Sequence, residues 1–585
     1  MSSSESKSLG ERATSQHIEG GKHQHRVIDA VPIDQEAHQD VRHVHLGWRS
    51  WAVVFVCCVS IFTQTFVVVA AGSVIAFIVR DIGNAPLSGW IIQGPLLMQS
   101  VLSPLVGRLS DVLDRKYMAS VPPLVSLVGA VMSAKATSMS MLIVGGILIG
   151  ASLSTAPVIH AILAEILPLK YRTVANGLAF IAGALGGLVG SLGSGAVTNT
   201  NASGWRYIFW MQAAFHGATF LGLALFYWPP KNTEYPKMTI GEYIWACDPI
   251  GSFLFMISSL LMLLALDWLG GAYAPSDPHV AVPLSIGLVF LVAFALYEWK
   301  GRTDGLVAHV FFHKNVNFAL SVFAFSVEGW VFYSAVNSVV PQIVLHLGFE
   351  NDAWRISVRQ LSYSLVILVA SVPMIWYSTR FKDLNTPLLI SFGFFLIVTI
   401  CYSTIQPSWN NAQIGINALA GIGQAGPLTL LAASVQFCAP HAFLSTATGI
   451  SYSGRAIGGA FGSAVLNTII NGRISTHHAP AVAAAATQAG LHSEGVLQLL
   501  KYLEQGKRPQ NDSGGITSAV WTAAIGASRD EYAHAYRLAW SSVIPFVVLA
   551  IVAVGFMKGV KELMTEKVEA TVEHAERVEK GDEGP

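Results

Sequence analysis

Charge is what this chain has least of. Of its 585 residues, 12% are Asp, Glu, Lys or Arg, about half the share usual in a soluble domain. So few charges cannot cover a water-facing surface, which excludes a soluble globular protein and makes lipid the solvent for most of the chain. The 35 basic and 35 acidic residues cancel, so no net field is available to hold nucleic acid. Cysteine is also scarce. Cys57, Cys58, Cys247, Cys401 and Cys438 lie in or beside apolar runs with no metal-ligand spacing, so they read as small hydrophobes. No G-x-x-x-x-G-K-[ST] loop occurs, which excludes a nucleotide-driven pump. No nucleophile–base pair or metal-ligand set stands outside the apolar runs, so neither an enzyme nor a cofactor or metal is expected. The start lacks the basic-then-apolar pattern of a cleaved leader. Residues 1–47 are polar and His-rich and are expected to form a disordered cytosolic tail, with the first apolar run serving as the insertion signal.

Long hydrophobic runs dominate the rest. Stretches of helix-spanning length, about 20 residues, fall near 51–79, 88–108, 118–137, 141–165, 174–198, 206–228, 248–268, 279–299, 316–342, 357–378, 386–406, 411–438, 446–470 and 537–558. They are numbered spans one to fourteen below. Lys and Arg collect in alternate breaks: Arg108, Arg115 and Lys116; Lys170 and Arg172; Lys231 and Lys237; Lys300, Arg302 and Lys314; Arg380 and Lys382. The positive-inside rule makes that side cytosolic, with both termini there. Segment 471–536 becomes a long extracellular loop holding two short amphipathic helices and a glycosylation sequon at Asn511. A second sequon, at Asn201, lies close to the membrane.

One segment is written twice. TVANGLAFIAGALGGLVGS (173–191) and STATGISYSGRAIGGAFGS (445–463) share register over nineteen residues. Gly186, Gly187 and Gly190 recur as Gly458, Gly459 and Gly462, which reads as a helix-packing face. A duplicated Gly-rich membrane helix implies two related halves about a pseudo-symmetry axis, the architecture of a secondary transporter. The copies fall in spans five and thirteen, whereas two six-span halves would place them in five and eleven. Two helices are therefore inserted. The expected division is 48–228 for the first half, 229–315 for the inserted spans with their linkers, 316–558 for the second half and 559–585 for a cytosolic tail.

After span two stands Gly107-Arg-Leu-Ser-Asp111-Val-Leu-Asp-Arg115-Lys116. A carboxylate at a helix junction can satisfy free N–H groups and complement a helix dipole. The basic pair can join acids in a cluster that forms in one conformation and breaks in another, which is a gate. The pattern resembles the G-x-L-a-D-r-x-G-r-k signature of the major facilitator superfamily, with Asp114 where the family has its second Gly. Trp90, the Gly204-Trp-Arg-Tyr-Ile-Phe-Trp210 run and the Gly register of span five are similar to marks of the fourteen-span drug:proton antiporter branch. Glu165 through Arg172 and the Arg-Ala-Ile-Gly-Gly of span thirteen fit its fungal trichothecene efflux pump and siderophore transporter group. This resemblance implies an all-α major facilitator fold of fourteen transmembrane helices and adds Glu165 and Arg172 to the gate. The sequence departs from the branch at Val67 and Gly146, where an acid and an Arg are usual, and in carrying Gly for the Pro of the antiporter motif.

Ionisable groups inside spans are costly and mark function. Glu328 lies about 12 residues into span nine, roughly 18 Å deep, and reads either as a proton carrier or as a hydrogen-bonded packing acid. Arg455, in span thirteen, needs an acid or a substrate anion, and Glu328 is the candidate partner. His160 in span four is a further proton carrier or a cavity residue. Gln64, Gln93, Gln99, Phe325, Trp330, Asn337 and Gln424 are expected to line an apolar cavity with a few polar groups, or to bond between helices. The expected activity is export of a small hydrophobic or amphipathic compound, such as a fungal toxin, secondary metabolite or drug, by proton antiport. A monomer in the plasma membrane is expected, with the vacuolar membrane as the alternative. Uptake of a ferric siderophore is the second reading, and a transporter-like receptor is a third of another class.

Overall fold

The structure, a computed structural model, describes residues 47–73, 78, 81–82, 90–198, 203–229, 239–269, 273, 276–312, 316–350, 353–505, 515–558 and 561–564. The expected first tail, both sequons (Asn201 and Asn511) and nearly all of the last tail lie outside the described residues. So does the side chain of Gln93.

Among the described residues every element is helical, and each expected span is a helix or a chain of helices. Twelve are long and apolar enough to cross a membrane. The other two expected spans, Trp90–Val112 and Leu444–Gln488, are long enough but interrupted by Gln, Ser, Thr and Arg. Polar caps start several helices. Asp114, in extended backbone with φ −140, accepts the Lys116 N–H and opens Arg115–Ala134. The family's Gly is therefore not needed for the turn, and the substituted acid serves as an N-cap.

The duplicated glycines show how the halves are built. A methyl group on Gly186 would collide with the Phe62 carbonyl of span one, and one on Gly458 with the Ser326 carbonyl of span nine. Each Gly face thus lets its helix lie directly on the backbone of its own half's first helix. Towards the other half the relation crosses over. Gly177 of span five packs on Ile375 of span ten, and Gly449 of span thirteen on Ser103 and Pro104 of span two. The two copies make the same contacts in exchanged halves, which is the pseudo-symmetry implied by the repeat.

Three spans are broken within their length. Span four divides into Met139–Leu153 and Ala156–Ile166, with Pro157 in the first turn of the second piece. Span twelve divides into Asn410–Ala425 and Pro427–Cys438, where Pro427 cannot donate and restarts the helix. Span nine runs as α-helix over Asn317–Gly329, opens into a π-helix over Trp330–Val339 and closes as Val340–His346. Wide helical turns of this kind gather at functional positions.

Spans seven and eight pair with each other, and span eight is the least buried of the apolar spans at 17%, which puts it at the periphery. They are tied to the rest through Arg108, which donates to the Ala246 carbonyl at 3.0 Å and the Asp304 carbonyl at 2.9 Å. Segment 471–536 differs from the expected loop. Its alanine-rich part continues span thirteen without a break to Gln488, and span fourteen begins at Ser518. Among the described residues between them, Val496–Gln505 stands as a separate short α-helix, preceded by a 3-10 turn at Ser493–Gly495. The extensions bury Val482, Leu491, Leu499 and Val520 together, and Arg473 pairs with Glu531 at 3.0 Å. Apolar side chains were available to pack the extension, so the helices have no reason to stop at the bilayer.

Candidate functional site

The residues expected to form the gate meet at the end of the bundle that carries the basic breaks. Asp111 is fully buried and caps the start of span thirteen. Its Oδ1 accepts the Ser445 N–H at 3.1 Å, and its Oδ2 accepts both the N–H and the hydroxyl of Thr446 at 2.7 Å. A carboxylate here satisfies free amides and sits at the positive end of the helix dipole. Gly107 makes the approach possible, since a methyl group there would strike the Ser445 carbonyl. Arg115 bonds Asp111 at 3.1 Å, pairs with Glu165 and donates to the His441 carbonyl at 3.3 Å. Glu165 Oε1 also lies 3.2 Å from His441 Nε2. Arg172 donates to the Gln436 carbonyl at 2.8 Å. Lys116 joins no acid in this cluster; its ammonium lies 2.7 Å from the centre of the Trp228 ring, a cation–π contact with the end of span six. Every bond here except the Lys116 contact and the Arg115 pairs with Asp111 and Glu165 crosses from one half to the other.

Deeper, a chain of neutral groups continues the contact. Gln436 Oε1 accepts from Asn176 Nδ2 at 2.8 Å, Asn176 Oδ1 lies 3.0 Å from His160 Nδ1, and His160 Nε2 lies 2.9 Å from the Tyr452 hydroxyl. One turn beyond Tyr452 stands Arg455. Its Nε and Nη2 reach Glu328 Oε2 and Oε1 at 2.5 and 2.9 Å, a two-point pair, and its Nη1 donates to Tyr333 at 2.7 Å. Gln424 donates to the same Glu328. Phe325, Phe332 and Tyr333 present their rings to the guanidinium at 5.5, 4.7 and 4.6 Å. Glu328 is fully buried and Arg455 almost so, so each charge is compensated by the other and by its hydrogen bonds.

The expected site residues therefore divide. Glu328, Arg455, Gln424 and Phe325 come together, with His160 linked to them through Tyr452. Gln64 instead bonds the Ser152 carbonyl at 3.0 Å and joins spans one and four. Trp330 packs on Gly462, Phe461 and Phe546, which makes it a packing residue. Asn337 is exposed and donates to the Phe332 carbonyl of its own helix at 2.7 Å. Gln99 is half-buried on span two. Sequence reading missed Asn176, Gln436, Tyr333, Tyr452, Thr446 and His441. At the opposite end, the Trp205-Arg206 pair that opens span six holds Asp81. Arg206 and the Trp205 Nε1, at 2.9 Å, donate to Oδ2, and these hydrogen bonds, that of Arg206 foremost, hold its carboxyl below the usual carboxylate range.

Two related helical halves joined by a buried ion-pair cluster, with a buried charge pair further in, are the architecture of a membrane transporter. The Major Facilitator Superfamily model matches residues 55–463, and the chain belongs to that family, which consists of transporters rather than enzymes. Its relatives include the MFS-type transporter prx5 of Penicillium rubens, 25% identical over 80% of this chain and 84% of that protein. The trichothecene efflux pump TRI12 of Fusarium sporotrichioides is 22% identical over 86% and 85%. The aspyridones efflux protein of Neocamarosporium betae is 26% identical over 63% and 64%. Among solved structures, the proton:xylose symporter XylE superposes with a TM-score of 0.50 at 13% identity, over 86% of this chain and 97% of its own, a likeness of fold. The chain is thus a multi-pass membrane transporter for small molecules.

Proposed function

We propose that this transporter exports small uncharged or amphipathic hydrophobic compounds, of the fungal toxin or secondary-metabolite class, by exchange for protons. The observation that carries the reading is the Glu328–Arg455 pair, buried between spans nine and thirteen and flanked by aromatic rings. With Arg455 neutralised by Glu328, the surrounding groups offer an anionic substrate no free cation. The ring faces and the Gln424 amide suit an apolar body with a few polar groups. The efflux activities in the names of the relatives support the direction.

In the proposed cycle the basic end is cytosolic. The Asp111 cluster closes the inner gate, and a proton taken by Glu328 from outside loosens its hold on Arg455. Movement at Arg455 reaches the gate through span thirteen, whose first turn is the one Asp111 caps. The transporter works as a monomer in the plasma membrane, with Asn511 on the outer side.

The test compares cells expressing the chain with control cells. Labelled trichothecene should accumulate less in expressing cells, and a protonophore should abolish the difference. Equal toxin levels with raised uptake of a ferric siderophore would establish the opposite direction and substrate.

A further inference from the structure

Spans seven and eight touch more than each other. Span seven lies against span two of the first half and span thirteen of the second, the same two helices that the Asp111 contact joins. At the basic end one side chain makes the connection. Arg108 stands next to Gly107 and three residues before Asp111, and it is buried although charged. Its Nε donates to the Ala246 carbonyl at 3.0 Å and its Nη2 to the Asp304 carbonyl at 2.9 Å. Both acceptors belong to the span seven–eight pair. Ala246 ends the short helix Ile240–Ala246, where carbonyls lack helical partners, and Asp304 follows span eight. The guanidinium also lies 4.5 Å from the centre of the Phe443 ring, in the turn that leads into span thirteen. One arginine therefore joins the first half, the pair and the second half.

The two carbonyls are held in place from within the pair. Arg302 grips the Asp304 carboxylate through Nε and Nη2 at 2.9 and 3.4 Å. Asp248 Oδ2 accepts the Leu306 N–H at 2.9 Å, and Glu298 Oε2 accepts the Val307 N–H at 3.0 Å. The segment after span eight is thus pinned to the start of span seven by acids that are themselves buried. Filling a lipid-facing position requires none of these polar groups, and burying them is costly unless their bonds are made. Presenting two fixed oxygens to one arginine requires all of them.

We propose that spans seven and eight are a working part of the inner gate: their two carbonyls hold Arg108 against Phe443 and so keep the basic ends of the halves together. Arg108 is a positioning residue for closure, and the gate opens only as the pair lets go of it. The proposal rests on the reading of the Asp111 cluster as that gate. It does not depend on the substrate, the direction or the coupling of transport.

The test reads closure on the full chain in phosphatidylcholine nanodiscs. Ala164 is fully buried with Ala161 and Leu444, between spans four and thirteen. The thiol of Ala164→Cys therefore meets a charged methanethiosulfonate only when the basic ends part. Mass spectrometry reads modification at that residue, so the five native cysteines stay in place. In this background Arg108→Lys keeps a cation for Phe443 but cannot donate to both carbonyls as the fork does. Modification should become about tenfold faster, the worth of one charged hydrogen bond. The amides of Leu306, Val307 and His309 should also exchange hydrogen faster than in the parent. Asp304→Ala is a mild change outside both halves and decides alone if Arg108→Lys does not fold. It should speed modification about threefold, the worth of a partly exposed ion pair.

Modification at the parent rate in either variant overturns the proposal. So does faster modification in Arg108→Lys with parent exchange at those amides, because Arg108 then acts without the pair. Asp111→Asn separates the two readings. If it too leaves modification at the parent rate, the gate reading itself fails. If it speeds modification while Arg108→Lys does not, the gate stands and the role of spans seven and eight falls.

Discussion

Asp111 of span two accepts the backbone N–H of Thr446 in span thirteen at 2.7 Å, across the boundary between the halves. With the Ser445 amide and the Thr446 hydroxyl it makes a three-point latch, and Arg115 braces it from behind. Replacing Asp111 by Asn removes the charge and turns one acceptor into a donor facing a donor. Breaking a buried charged contact of this kind costs about 3–5 kcal/mol, enough to shift the closed state more than a hundredfold. We expect normal insertion of Asp111→Asn with toxin efflux reduced at least about tenfold. Efflux equal to the parent at matched expression would show that the latch does not gate.

Glu328→Gln keeps the size of the side chain and fixes it neutral, with an amide N–H2 in place of one oxygen that accepts from Arg455 or Gln424. This variant should bind substrate and exchange it across vesicle membranes while failing to concentrate it against a gradient. Arg455→Lys tests the other partner. An ammonium cannot span two carboxylate oxygens and Tyr333 as the guanidinium does, so uphill transport should fall although the charge is kept. If either variant still concentrates substrate in a protonophore-sensitive way, the coupling site lies elsewhere, with His160 next in line.

The two glycine faces predict a contrast within one motif. Gly458→Ala forces a methyl group into the Ser326 carbonyl, whereas at Gly187 the nearest atoms are the methyl groups of Thr65 at 3.6 Å and Val69 at 3.7 Å. Overpacking of the first kind costs about 1–3 kcal/mol. Gly458→Ala should aggregate at a lower temperature in detergent and Gly187→Ala at the parent's temperature. Identical melting of the two would mean that the close helix approach contributes nothing.

Acid should weaken the outer end of the first half. The carboxyl of Asp81 is held below its ordinary value of 3.8 by Arg206 and Trp205, so its contribution is present above that value and is lost as pH falls through the lower folded value. Thermal melts at a series of acidic pH values should show a loss for the parent that is absent in Arg206→Gln. Parallel curves would assign the acid sensitivity to other groups.

Topology is open to a direct check. Expression in a glycosylating host should modify Asn511, and Asn511→Gln should remove the mass shift. A protease added to intact cells should spare both termini. An unmodified Asn511 together with a terminus cut from outside would reverse the orientation drawn from the basic breaks.

Much of the architecture was legible because it rests on local pattern. Hydrophobic run length marked the twelve helices apolar enough to cross a membrane, and the Gly register of spans five and thirteen announced the symmetry. Glu328 and Arg455 stood out because a charge in an apolar run has few explanations, and each implied the other. The neutral chain was not legible: Asn176 and Gln436 are 260 positions apart, and an amide inside a helix looks the same whether it bonds a neighbour or faces a cavity. For that reason the sequence leaves Gln64 and Asn337 open between cavity and helix packing, and in the structure both bond the backbone. The outer segment was misjudged because AVAAAATQAG is compatible with a separate short helix. Only the partner surface of span fourteen, with Val520 and Ala524, decides that the helix continues.

Span thirteen runs unbroken for 45 residues, about 67 Å at the rise of an α-helix, more than twice the hydrocarbon thickness of a bilayer. Its first turn is gripped by Asp111, its ninth residue beyond Thr446 is Arg455, and beyond that it is strapped to span fourteen by Arg473 and Glu531. The helix carries the Asp111 contact, the buried charge pair and the Arg473 strap on one shaft, the layout of a pushrod. In the proposed cycle a binder that clamps the strap from outside holds the Asp111 contact as well, a point of arrest that no substrate-shaped inhibitor has to reach.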